Sequence, residues 1–111
     1  MPATFLLKKN DDNDYFFNFV NGSGELLLIS GDYGNKAEAE QAIKDVQVGS
    51  LVSEQIAAGK VAEGDLFFVI KDNAGDILVK SVLFDSRMTF DNALHAVKDN
   101  ACIAEIQDQT A

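Results

Sequence analysis

His95 and Cys102 are the only histidine and the only cysteine in the chain, and they carry its strongest side-chain chemistry. A histidine can act as a general base or metal ligand near neutral pH, and a thiolate as a nucleophile or redox centre. No Ser, Cys or second His stands in a motif with His95. It lies beside, not on, an apolar helical stripe, so it is expected to face solvent. Cys102 opens a predicted strand and matches Leu51 in the first half of the chain. It is expected to be a small buried hydrophobe. The densest run of oxygen ligands is Asn10-Asp11-Asp12-Asn13-Asp14. A calcium loop needs Gly at its sixth place and a distal Glu; both are missing, so a solvated turn is expected. Asn21-Gly22-Ser23-Gly24 is followed by a strand and has no Gly-Lys-Ser/Thr, which excludes a phosphate-binding loop. Glu38, Glu40, Asp85 and Asp91 read as solvated helix-surface charges, and no acid/base pair can be identified. No catalytic, cofactor-binding or metal-ligating residue is assigned, and no cofactor is expected.

The side chains that remain for function are apolar. In Tyr15–Val20 the residues Tyr15, Phe17 and Phe19 alternate with Phe16, Asn18 and Val20. One set must form the core, because successive strand residues point to opposite faces. The other set still carries Phe16 and Val20, matched by Phe67 and Val69 in the second half. If no helix covers that second face, Phe16, Val20, Phe67 and Val69 form a candidate interaction face.

These positions sit within a repeat of period 51. DYFFNFVNGSGELLLIS at 14–30 matches DLFFVIKDNAGDILVKS at 65–81. The register continues through Tyr33 and Phe84, Asn35 and Ser86, Lys36 and Arg87, and Val46 and Val97. Strands are expected at Thr4–Lys9, Tyr15–Val20, Leu26–Ile29, Leu51–Ile56 and Cys102–Gln107, with 55–60 as the second-half partner of the first strand. Gly24 and Gly75 hold the same place after hairpin-turn residues, so each is expected to have a left-handed backbone. Asn35 reads as a helix N-cap with Glu38 completing a capping box, and Ser86 as the second N-cap. Ala39, Ile43 and Val46 form one helix stripe; Phe90, Leu94, Val97 and Ala101 form the other. Gly49 and Asn100 are expected to stop the two helices. The expected fold is α+β: two tandem β(3)-α-β-type repeats, about 4–57 and 55–108, forming one antiparallel sheet of roughly seven strands with two helices on one face. Residues 1–111 are expected to form one domain.

Composition agrees with a soluble globular domain. The 111 residues are 47% hydrophobic, and eighteen acidic against nine basic residues leave a net charge of -9. Direct nucleic-acid binding, which depends on Lys and Arg neutralising phosphates, is not expected. One cysteine excludes an internal disulfide. MPATFLLKK puts its charge after a short apolar run, the reverse of a signal peptide. No run approaches the roughly 20 apolar residues of a membrane span. A cytoplasmic location is expected.

GELLLISGDYGNKAEAEQAIKDV resembles the YegP-like family of small proteins. Gly24, Glu25, Ser30, Tyr33, Lys36, Ile43 and Val46 match the family pattern, and Gly75, Asp76, Ser81, Phe84, Arg87, Leu94 and Val97 match it more loosely. The helix Gly of the family is Ala42 and Ala93 here, and its Asn before the turn Gly is Ser23 and Ala74. The resemblance implies two β-rich repeats building one sheet, with the closing strands exchanged between them. The family has no established activity, so the resemblance brings no catalytic residue. The function expected is a non-enzymatic module that binds protein or self-associates. An acidic decoy of nucleic-acid-binding proteins and an enzyme of unknown type are the alternatives.

Overall fold

The computed structural model describes residues 2–110. Met1 and Ala111, the outermost residues of the expected domain, lie outside that range. The chain runs β1 (Thr4–Lys9), β2 (Tyr15–Val20), β3 (Leu26–Ser30), α1 (Lys36–Gly49), β4 (Ile56–Lys60), β5 (Leu66–Lys71), β6 (Ile77–Ser81), α2 (Arg87–Asn100) and β7 (Glu105–Asp108). The seven strands form one sheet in the order β4-β5-β6-β3-β2-β1-β7. With its two helices this is the α+β architecture expected. One pairing departs from an all-antiparallel sheet: β7 runs parallel to β1. A chain leaving the far end of α2 can reach the outer side of β1 only in that direction.

The four hairpin turns share one construction. Asn13, Gly24, Gly64 and Gly75 all have positive φ. In each turn that residue donates its N–H to a carbonyl three residues back, at Asn10, Asn21, Val61 and Asp72. This left-handed position is why Gly24 and Gly75 hold their places. In three of the turns the opening side chain also accepts two backbone N–H groups. Asn10 Oδ1 takes those of Asp12 and Asp14, Asn21 Oδ1 those of Ser23 and Glu25, and Asp72 Oδ1 those of Ala74 and Asp76.

Both helices cover the face that carries Phe5, Leu7, Phe17, Phe19, Leu28, Phe68, Ile70 and Val79, all nearly inaccessible to water. The pairing shifts by one residue between β2 and β3 and between β5 and β6, at Leu27 and Leu78. These bulges turn two consecutive residues of β3 (Leu27, Leu28) and of β6 (Leu78, Val79) toward the core. A strictly alternating pattern does not show that. Asn35 caps α1 by accepting the Glu38 N–H at 2.9 Å, and its side-chain amide donates to the Glu38 carboxylate at 3.2 Å. Ser86 caps α2 through the Thr89 N–H at 3.1 Å.

Several boundaries differ from expectation. Leu51–Ile56 is not a strand: Leu51 is exposed, Ser53–Gln55 is a 3-10 turn and β4 begins at Ile56. Likewise Ala101–Ile103 is a 3-10 turn, so β7 begins at Glu105. Gly49 has no left-handed backbone. A Cβ there would lie 2.9 Å from Ile70 Cγ2 and 3.2 Å from the Lys71 carbonyl oxygen, so Gly49 serves the close approach of α1 to β5. Asn100 ends α2 by donating its side-chain amide to the Ala96 carbonyl at 2.8 Å. Ala93 joins Phe90 and Val97 in the buried stripe of α2, and Leu94 is partly buried against the same core.

Candidate functional site

His95 is exposed on α2. Cys102 is exposed as well, which corrects the expectation of a buried hydrophobe: the 3-10 turn that replaces the start of the strand directs it outward. Asn10 spends its side-chain oxygen within its own turn. Among the described residues no group of three or more His, Cys, Asp or Glu side chains is placed to hold a metal ion. A cleft of about 580 Å³ lies between the β2–β3 turn and α2, with Asn21, Glu25, Asp65, Asp85, Thr89 and Asn92 on its walls. His95 and Cys102 are not among its lining residues.

The residues of the YegP-like pattern have structural work. Ser30 Oγ accepts the Phe17 N–H at 2.8 Å and donates to the Gly31 carbonyl at 2.8 Å. Ser81 does the same for the Phe68 N–H at 2.9 Å and the Val82 carbonyl at 2.8 Å. Each hydroxyl stands in for a ladder carbonyl where the chain leaves the sheet. Tyr33 and Phe84 then bridge back to Tyr15 and Leu66. Their rings stack on Phe17 and Phe68 at 6.2 and 6.3 Å. Burial raises the Tyr33 phenol above its ordinary pKa, with help from the nearby charges of Asp45 and Asp72. Lys36 forms an ion pair with Asp108 of β7.

Phe16, Val20, Phe67 and Val69 all lie on the sheet face opposite the helices. Phe16 is opposite Lys8 across β2–β1, and Val20 is opposite Leu26 across β2–β3. A single rung crosses all seven strands through Ala57, Val69, Lys80, Ile29, Asn18, Leu6 and Gln107. Val20 and Val69 are only 9% and 6% exposed, sheltered by their neighbours. The accessible apolar atoms come from Phe16 and Phe67 and from Leu26, Ile29 and Ile77, which are 38%, 43% and 62% exposed. These last three were missed because a continuous apolar run hides which residues face outward when a bulge breaks the alternation. Phe67 is fixed from both sides. Its ring occupies the space a Cβ of Gly59 would need, and Lys80 Nζ lies over it at 4.7 Å from the centroid.

Charge is segregated in the same way. Of the eighteen carboxylates only Glu105 and Asp108 lie on strands, both on the outermost β7. Lys8, Lys71 and Lys80 alternate with core residues and so share the uncovered face.

Together these features define a small α+β protein with a helix-covered core face and an apolar, lysine-bearing second face. The chain is similar over its full length to proteins named UPF0339 protein YegP. The protein of that name from Shigella flexneri is 28% identical over 99% of this chain and 100% of its own length. A UPF0339 protein of Bordetella pertussis is 29% identical over 99% and 98%. Two solution NMR structures share the fold. A UPF0339 protein of Shewanella oneidensis superposes with a TM-score of 0.94 at 26% identity, covering 99% of this chain and 93% of that one. YegP of Escherichia coli, described as a protein of unknown function, gives 0.92 at 27%, covering 100% and 96%. No family model matches the chain. The YegP-like resemblance therefore holds along the sequence and in the fold, and it carries no activity with it.

Proposed function

We propose that the protein is a non-enzymatic cytoplasmic module that binds another protein through the uncovered sheet face. The observation that carries this reading is the composition of that face: Leu26, Ile29 and Ile77 exposed and Phe16 and Phe67 half-buried around three lysines, on a chain of net charge -9. Apolar residues gathered on one uncovered face mark a candidate interaction site. Among the described residues no helix is long and apolar enough to cross a membrane. Carboxylates in the turns at both ends of the strands disfavour nucleic acid and anionic membranes as partners. Stacking two copies face to face would oppose lysines, which favours a different protein over self-association. We also propose that residues 1–111 act as one domain of two like units, about 4–57 and 55–108. The starts of β2 and β5, of β3 and β6, and of α1 and α2 are 51 residues apart, which supports it.

The test compares proteins captured from native cytosol by the parent chain, Phe16→Asp, Phe67→Asp and Lys44→Asp, the last a change on the exposed side of α1. Circular dichroism and thermal unfolding establish that each variant folds. The expected result is a partner retained by the parent and by Lys44→Asp and lost with both Phe variants. Retention of the same proteins by all four removes the sheet face as the binding surface.

A further inference from the structure

The two edges of the sheet are unequal, although the strands next to them are built alike. β1 pairs with β2 and β4 with β5, both antiparallel and both without a bulge. Outside β1 lies β7, in parallel register from Thr4 beside Glu105 to Leu7 beside Asp108. The Gln109 N–H extends that ladder to the Leu7 carbonyl at 2.8 Å. Lys36, the first residue of α1, closes it through the Asp108 carboxylate. Among the described residues no strand lies outside β4.

The groups that hold β7 on β1 have counterparts around β4. Arg87 is the first residue of α2, as Lys36 is of α1. The bridge from Phe84 to Leu66 anchors the approach to α2 as the bridge from Tyr33 to Tyr15 anchors the approach to α1. The Arg87 side chain is 76% exposed, packs over the Phe90 ring at 5.5 Å, and meets one carboxylate, Asp91, at a loose 3.4 Å. Among the described residues Asp108 has no counterpart at this edge. β4 itself reads Ile-Ala-Ala-Gly-Lys. It has no Pro, no bulge and one charge, Lys60, so it lacks most of the devices that blunt an edge against pairing. Its small side chains let a second backbone approach.

We propose that the outer edge of β4 is a docking slot for an extended acidic peptide segment of another protein, added parallel to β4 with a carboxylate on Arg87, as β7 sits on β1. β7 shows what such a slot accepts. Its sequence, Glu-Ile-Gln-Asp, places an apolar residue beside Phe5 and a carboxylate two residues later. On β4 the corresponding places fall beside Ile56 and Ala58. Backbone pairing supplies affinity in strand addition, and the side chains supply selectivity. Lys60 at the end of β4 and Arg87 at the start of α2 supply local positive charge against the net charge of -9. The same chain already holds Asp108 against Lys36. This slot is separate from the uncovered face, so either can fail without the other.

The probe is a synthetic, end-blocked peptide Ala-Glu-Ile-Gln-Asp-Gln-Thr, titrated into the isotope-labelled full chain and followed by amide and arginine NMR signals. The expected result is saturable shifts confined to Ile56–Lys60 and the Arg87 guanidinium. Binding should weaken about two- to five-fold for Arg87→Gln, and to the same extent when the peptide Asp becomes Asn, as suits an exposed ion pair. Three outcomes overturn the proposal: no shift up to the solubility limit of the peptide; shifts on β1 with release of β7; or β4 signals that broaden with protein concentration alone, which would assign the edge to a second copy.

Discussion

Ser81 shows how much a single side chain can do in this fold. Its hydroxyl is the acceptor for a buried backbone N–H, that of Phe68. Ser81→Ala leaves that donor unpaired, which costs about 1–3 kcal/mol. A denaturant midpoint that falls with an unchanged slope is the expected result; an unchanged midpoint would mean that water reaches the N–H. Asp108 gives a pH-dependent counterpart. The Lys36 ammonium beside it, and then the Thr110 hydroxyl and N–H, hold its carboxyl well below the ordinary value of 3.8. The folded state therefore binds this proton less readily than the unfolded chain does. The stabilisation is present above the ordinary carboxylate pKa and is lost as pH falls through the lowered one. Lys36 is raised chiefly by its hydrogen bond to Asp108, so its contribution is full below its ordinary pKa and is lost as pH rises through the raised value. Lys36→Met should move the Asp108 titration, followed by its side-chain carboxyl NMR signal, up toward the ordinary range. A titration that does not move would assign the shift to Thr110 alone.

At the scale of elements, sequence pattern specified the hairpins, the helix starts and the strand count, because each rests on local chemistry. Gly24 and Gly75 need a left-handed backbone, and Asn35 and Ser86 need only the N–H groups three residues on. What pattern could not show depends on contacts distant in sequence. Leu27 and Leu78 turn inward because of bulges set by the neighbouring strand. Gly49 looks like a helix stop, yet its reason is Ile70, which approaches from another strand. The same limit held at the candidate face: Phe16 and Phe67 could be named from alternation, whereas Leu26, Ile29 and Ile77 required the register. Gly49→Ala separates local from tertiary control. Helix propensity alone favours Ala over Gly by about 1 kcal/mol. The Cβ, however, would press α1 away from β5, and overpacking of this kind costs about 1–3 kcal/mol. Net destabilisation is expected, measured by thermal or denaturant unfolding. A stabilised variant would show that α1 is free to shift on the sheet.

For the molecule as a whole, the governing quantity is the placement of charge. Eighteen carboxylates face nine basic groups. Among the described residues only Lys36–Asp108 and Arg87–Asp91 form ion pairs, and both are exposed. Exposed pairs contribute roughly 0–1 kcal/mol each, so attraction offsets little of the repulsion among the carboxylates in the turns and helices. That repulsion destabilises the compact state, and salt screens it over about 10 Å at 0.1 M. The melting temperature should therefore rise as sodium chloride is raised from low to physiological ionic strength. Binding at the uncovered face should respond differently, because that face is apolar and its charges are lysines. A complex held mainly by Phe16, Phe67 and Ile77 should survive the same salt increase. One that dissolves over that range would be held by the lysines instead, and the apolar residues would then have to be explained by folding alone.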